Sequence, residues 1–583
     1  MNNKTPKFNE AMEKYFSELK LDKQGGQERV CRVSGERFYV RPEDIEFYKK
    51  MQVPLPTLCP HCRMQRRMAH RVLLPIFYKK RCSAPEHGEK VISFYSEKNP
   101  IKIYDDDYYI SDKWEATDFA VDYNRDESFF EQFLRFKLSV PHQASSRDLK
   151  SVNCKYIISG SESKNCYYSS APMNSENVHF SMITINTKNS QDVGDVDNSE
   201  YCYDSLYLNH CYKVKYSRES GYCVNSAFLF DCRDCTDCFM SSNLRHKKYV
   251  FYNQQLSKSE YQRKMAEIDL GDRMEVERLK DDFQKIIQDS IHKNLRNEKV
   301  ERSVGNLLRE CKDCYKVHRV YNSENIAYVS NGHGVRDSMD LYGAINSEES
   351  YESSGIGDGV SKIKFSLGIR GGLELEYCTD CVNCEYCFAS VGLKNKKFCI
   401  FNKQYSEEEY WQKVDEIKTK MLEDGEYGEF FPIKNSVHPY QDTIASAEGY
   451  FLTEEEVKSK GYHEYAEIKS ELDLSGDNVL LGKDLPNNIK EVEDSILDKV
   501  IICEKTEKPF KIVNFELKFY QQEKIPLPTV HPLERIRSRV ATKYTFHIWE
   551  DICARCGSKM FSAHNPKKKL KVYCEKCYNE ALN

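Results

Sequence analysis

The chain has 583 residues, among them 24 Cys and 39 Tyr, and a formal net charge of -5. A mean hydropathy of -0.69, with no apolar run near the roughly 20 residues of a spanning helix, argues against an integral membrane protein. The small net charge excludes a globally basic nucleic-acid coat but leaves local basic patches open.

The N-terminus alternates charged and apolar residues, so it does not read as a signal peptide. Without an export signal, so many thiols predict a reducing, cytoplasmic setting. There Cys serves metals, catalysis or packing rather than disulfides.

Residues 1–114 read as a zinc-ribbon-like module, partly degenerate. Cys31 and the pair Cys59-x2-Cys62 offer three thiolates, with Ser34 where a fourth Cys would sit. His61, Cys82 or water would complete a zinc site. Arg63, Arg66, Arg67 and Arg71 then follow at the spacing of one helical face. They read either as phosphate contacts with RNA or DNA, or as a solvated face paired with Asp105, Asp106 and Asp107. Further on stand Cys82, Pro85, Asp105 and Tyr108, which look like a lost metal position.

Residues 115–150 form a helical connector. From 151 to 256 a period of 12 runs through one column, Cys154, Cys166, Val178, Ser190, Cys202, Val214, Ser226, Cys238 and Val250. Tyr156, Tyr168, Phe180, Asp192, Asp204, Tyr216 and Phe228 follow two residues later, and a mostly Ser column comes next. A short strand and a bend repeated in this way cannot bury themselves singly, but stacked copies share a core and a hydrogen-bond ladder. Residues 257–310 are a helical cap opened by the capping box Ser257-x2-Glu260.

The array returns over 311–405 with a spacing of 149, its first column reading Tyr315, Ala327, Met339, Tyr351, Ile363, Leu375, Cys387 and Cys399. Cys378, Cys381, Cys384 and Cys387 form a run that is either a further metal site or small filler of narrow turns. Strand alternation would point such thiols to opposite faces. A helical, acidic region spans 406–500.

Residues 501–583 repeat the N-terminal module. Cys503 matches Cys31, Pro526-Leu-Pro-Thr529 matches Pro54-Leu-Pro-Thr57 and Arg535 matches Arg63, all 472 residues apart. The set equivalent to Cys31, Ser34, Cys59 and Cys62 is Cys503, Thr506, His531 and Glu534, a poor ligand set. By contrast, Cys553-x2-Cys556 and Cys574-x2-Cys577 have zinc-ribbon spacing and predict a closed zinc site.

The stretch Val53 to Arg67, Ser111-Asp-Lys-Trp114, Phe129-Phe-Glu-Gln-Phe133 and the Asn-Cys-x-Tyr repeats resemble a bacterial family without an established function, found mostly in reduced-genome candidate-phylum bacteria. The resemblance covers nearly the whole chain. Members carry paired CxxC motifs where this chain has Ser34, Pro85, Asp105 and Tyr108.

The fold expected is mainly β with helical caps: a tandem β-solenoid of 12-residue repeats flanked by two small zinc-ribbon-like modules. The expected function is a non-enzymatic zinc-binding scaffold for a protein or nucleic-acid partner, with no membrane and no evident small-molecule pocket. The alternatives are an RNA- or DNA-binding protein using the ribbons and Arg63 to Arg71, and a polymer-acting enzyme with Asp192 and Asp204 in one column.

Overall fold

A computed structural model describes residues 4–145, 148–464, 472, 474 and 478–582. Part of the acidic stretch 440–500 therefore lies outside the described residues. The chain is mixed α/β, with two large, mostly parallel sheets and helices and small hairpins packed around them. Among the described residues no helix is long and apolar enough to cross a membrane.

The first large sheet has 11 strands and the second 12. Their pairings are parallel and repeatedly join a residue to the one 12 positions later, as in Val214↔Ser226 and Cys238↔Val250. Only the last pair in each sheet is antiparallel. The residue-level cause is a left-handed backbone at every third position. Asn225, Phe228, Asp231, Asp234, Asp237 and Met240 all have φ between 47° and 56°. Such φ values bend the chain sharply and are costly for most side chains, which is why Asn and Asp recur there. The Asn residues offset part of that cost by forming ladders: Asn153 Nδ2 donates to Asn165 Oδ1 at 2.8 Å, and Asn165 to Asn177 at 3.0 Å.

The residue after each bend points inward. Ser226, Leu229, Cys232, Cys235 and Cys238 are all buried. The interior is narrow, so Cys, Ser, Val and Leu fill it. Inward serines also satisfy backbone: Ser226 Oγ donates to Val224 O at 2.8 Å and accepts from Cys238 N at 3.0 Å. Thiols act similarly, since Cys378 Sγ contacts the carbonyls of Glu376 and Cys387 at 3.5 and 3.4 Å.

One extra residue enters the second sheet, where Tyr351 pairs with Lys364 instead of a residue 12 positions later. The sheets correspond at a spacing of 148 before it and 149 after it. This corrects the second array's first column. Cys314, Ile326 and Ser338 are the ladder partners that continue the inward column, and Cys314 and Ile326 share its buried interior. Tyr315, Ala327 and Met339 instead belong to the cluster built with the N-terminal region.

Helices follow each array at the Ser-x2-Glu signals. Ser257 and Glu260 cap the helix Lys258–Ala266, and Ser406 and Glu409 cap Glu407–Glu423. The modules cross over. Phe8, Ile45, Tyr48 and Val53 pack with Tyr351, Phe365 and Tyr377 of the second sheet. Leu517, Tyr520 and Ile525 pack with Tyr203, Phe228 and Phe239 of the first. The strand Ile291–Lys293 after the first array pairs in parallel with Lys571–Tyr573 of the C-terminal module.

Candidate metal centres

In the C-terminal module the hairpin Trp549–Ile552 and Lys559–Ser562 holds Cys553 and Cys556 in its turn. Gly557, with φ 72°, lets the turn close so that its N–H donates to Cys553 O at 2.9 Å. Cys574 stands at the start of the helix Glu575–Leu582, and Cys577 lies in its first turn. The four sulfurs all lie within 4.8 Å of one another. Cys556 Sγ is 3.9 Å from Cys574 Sγ. A tetrahedron of Zn–S bonds of about 2.3 Å separates its sulfurs by about 3.8 Å. Burial opposes ionisation of Cys553, but the N–H groups of Cys556, Cys574 and Arg555 outweigh it and bring the thiol down to about 6. Burial and the three neighbouring thiols push Cys577 up to about 12. Four thiols this close cannot all ionise alone, but a divalent cation removes that repulsion. The set is consistent with a metal site such as zinc.

In the N-terminal module Cys31, Cys59 and Cys62 also converge within 4.8 Å. Cys31 lies in the turn of the hairpin Gln27–Val30 and Arg37–Val40, while Cys59 caps the helix Pro60–Met68. Ser34 Oγ lies 3.9 Å from Cys59 Sγ, in the place of the fourth Cys. Neither protein side chain expected as fourth ligand joins them. His61 packs on Tyr450 and His547, and Cys82 belongs elsewhere. The Cys62 thiol, then burial, dominate the balance at Cys59, which falls to about 6. The equivalent C-terminal residues form no cluster: His531 Nδ1 accepts from Leu533 N, and Glu534 pairs with Arg537.

A third group was not legible as a site. Cys82, His87 and Asp105 bring ligand atoms within 4.8 Å, with His87 Nδ1 3.0 Å from Asp105 Oδ2. Cys82 and Asp105 occupy the places of Cys553 and Cys574, so the position read as lost keeps a sulfur and a carboxylate. His87 stands two residues beyond Pro85, outside the CxxC register, and no spacing rule points to it.

Cys378, Cys381, Cys384 and Cys387 correct the expectation of a further metal site. All four are fully buried and point inward, because a three-residue spacing matches the bend period. Strand alternation therefore does not apply. Among the described residues no three of their sulfurs converge. Cys384→Ala is expected to cost about 1 kcal/mol and leave zinc content unchanged, measured by urea unfolding and metal analysis.

The arginines require a larger correction. Arg63, Arg66 and Arg67 are 1%, 7% and 0% exposed. Arg63 and Arg67 pair with Asp340 at 2.9 and 3.0 Å, and Arg66 pairs with Glu352 at 2.7 Å and Glu429 at 2.9 Å. They bond the module to the second sheet, not to Asp105–Asp107, and cannot reach phosphate. The C-terminal copy repeats this: Arg535 and Arg539 pair with Asp192 at 2.7 and 2.8 Å. Arg71 stands apart, lining a cavity of about 150 Å³ beside the second sheet, where no small-molecule pocket was expected.

The chain matches no protein-family model and no curated protein.

Proposed function

We propose that the chain is a non-enzymatic, zinc-binding scaffold of the cytoplasm. In this reading its two large sheets are stacked 12-residue coils, a tandem β-solenoid, whose surface receives a partner protein. The observation that carries the reading is an aromatic patch on the first array. Tyr212 and Tyr222 are 40% and 56% exposed. His210 stacks on Tyr222 at 4.7 Å, and Lys213 Nζ lies 5.5 Å over the Tyr212 ring. Tyrosines supply rigid area and a hydroxyl, the combination enriched at interface hot spots. The interval of 12 in the parallel ladders of the first sheet supports the coil reading, since each residue pairs with its own repeat equivalent.

Zinc held by four cysteines has no open position for substrate, which supports a structural role. Asp192 and Asp204 are tied to Arg535, Arg539 and Lys280, which counts against a carboxylate pair acting on a polymer. The nucleic-acid reading loses its arginines to the interior. The family resemblance lends no function, so the proposal rests on these residues.

Replacing Tyr212 or Tyr222 with a photo-crosslinking phenylalanine in cells is expected to yield one recurrent protein adduct at both positions. The same probe at exposed Val30 should not give it. Recovery of nucleic acid at 212 and 222, or identical adducts at all three positions, would overturn the reading.

A further inference from the structure

The duplication allows one position to be compared in two states within one molecule. In the first sheet Asp195, Tyr207 and Glu219 stand at equivalent bends of successive 12-residue repeats and are all used. Asp195 pairs with Arg319 at 2.6 Å and with Lys543 at 3.3 Å. Tyr207 accepts from Tyr544 N at 2.9 Å, and its ring packs on Tyr544. Glu219 accepts from Tyr544 Oη at 2.8 Å and pairs with Arg296, which also holds Asp231 at 3.0 Å. Here every charge meets its opposite.

The equivalent residues of the second sheet are Gly343, Gly355 and Gly368. All three have left-handed φ, so the bends survive while two carboxylates and a phenol are gone. Lys543 corresponds to Arg71, whose guanidinium runs through the space a side chain at 355 would fill. A Cβ on Gly355 would lie 1.5 Å from Arg71 Nη1. Beside Arg71 lies the cavity of about 150 Å³, which Gly368 lines.

Cations remain at this cavity without matching acids. Arg71, Lys137, Arg370 and Lys394 line it, and among the described residues Asp380 is its only carboxylate. Arg370 replaces the Gly221 of the first sheet, an added charge. Asp380 lies 3.6 Å from His142, and Lys137 Nζ has the carbonyl of Asn435 at 3.3 Å. Burial draws Lys137 down to about 8, with Asp380 only partly opposing. Lys137, 5% exposed, is held out of water and requires a counter-charge, and among the described lining residues Asp380 alone offers one to it and to Arg71.

We infer that this cavity is a binding site for a small oxyanion, a phosphate or a compact carboxylate, held by Arg71, Lys137 and Arg370. The ligand would supply Arg71 with the negative charge that Asp195 supplies to Lys543 in the first sheet. Inorganic phosphate and malonate, each compared with chloride at equal ionic strength, are the probes. At least one is expected to raise the thermal midpoint of the full chain by a few degrees, and which one identifies the ligand chemistry.

Gly343→Asp restores the acid of the other copy at a bend that already accepts Asp there. It is expected to raise the midpoint without added anion and abolish the response. Arg370→Ala removes an exposed cation and is expected to weaken binding by about tenfold while the fold persists. No midpoint shift and no calorimetric heat with either anion would overturn the inference. So would a response that Gly343→Asp and Arg370→Ala both leave intact.

Discussion

Asp340→Leu is expected to destabilise the protein by about 3–5 kcal/mol, read from urea unfolding. Asp340 is fully buried and holds both Arg63 and Arg67, themselves 1% and 0% exposed. Removing it leaves two guanidinium groups in the interior. Arg63 would retain its bond to Leu58 O, and Arg67 its longer contact with Glu352 at 3.4 Å. Neither replaces a full carboxylate. The paired design is Arg63→Met and Arg67→Met together with Asp340→Leu. That variant removes the charges as well as their attraction, and should recover most of the loss. Asp192→Leu, acting on Arg535 and Arg539, should behave alike because it is the same joint in the other copy. A loss below about 1 kcal/mol for Asp340→Leu would show that the module does not depend on these ion pairs.

These pairs also mark what was legible. The duplicated ends could be read from the ungapped match of Pro54-Leu-Pro-Thr57 with Pro526-Leu-Pro-Thr529. The four-cysteine cluster followed from its local spacing. The partners of the arginines did not, since Arg63 and Asp340 are 277 residues apart in sequence. Nothing local distinguishes a buried Arg face from a solvated one. The period of 12 was visible, but its division into four bends was obscured. Inward Cys, Ser and Val recur every third residue, while the larger Tyr and Phe between them dominate the pattern. Missing those bends led to strand alternation for Cys378 to Cys387, where every thiol faces inward. The glycines at 343, 355 and 368 resemble ordinary turn residues until aligned with Asp195, Tyr207 and Glu219.

Cys553→Ser combined with Cys556→Ser is expected to remove one equivalent of zinc per chain and to unfold the C-terminal hairpin. The four sulfurs leave no alternative ligand set, because two remaining thiolates hold zinc far more weakly than four. A structural zinc is worth on the order of 10 kcal/mol to a small module, well above what a four-residue hairpin supplies. The damage should remain local. Faster amide exchange is expected over Trp549–Ser562 and in Ile291–Lys293, whose ladder with Lys571–Tyr573 depends on the module. The inward ladder at Val214, Ser226 and Cys238 should keep its protection. Chelation of the wild type should reproduce the effect, and lowering the pH should ease metal release, since protons compete for the thiolates. The parallel variant Cys59→Ser with Cys62→Ser separates the modules. If it removes a second equivalent, the three-cysteine set also holds metal, completed by water or by Ser34. Any zinc surviving both double variants would belong to Cys82, His87 and Asp105, and Cys82→Ser should then eliminate it. Zinc-free wild-type protein, or zinc unchanged by Cys553→Ser with Cys556→Ser, would refute the C-terminal site.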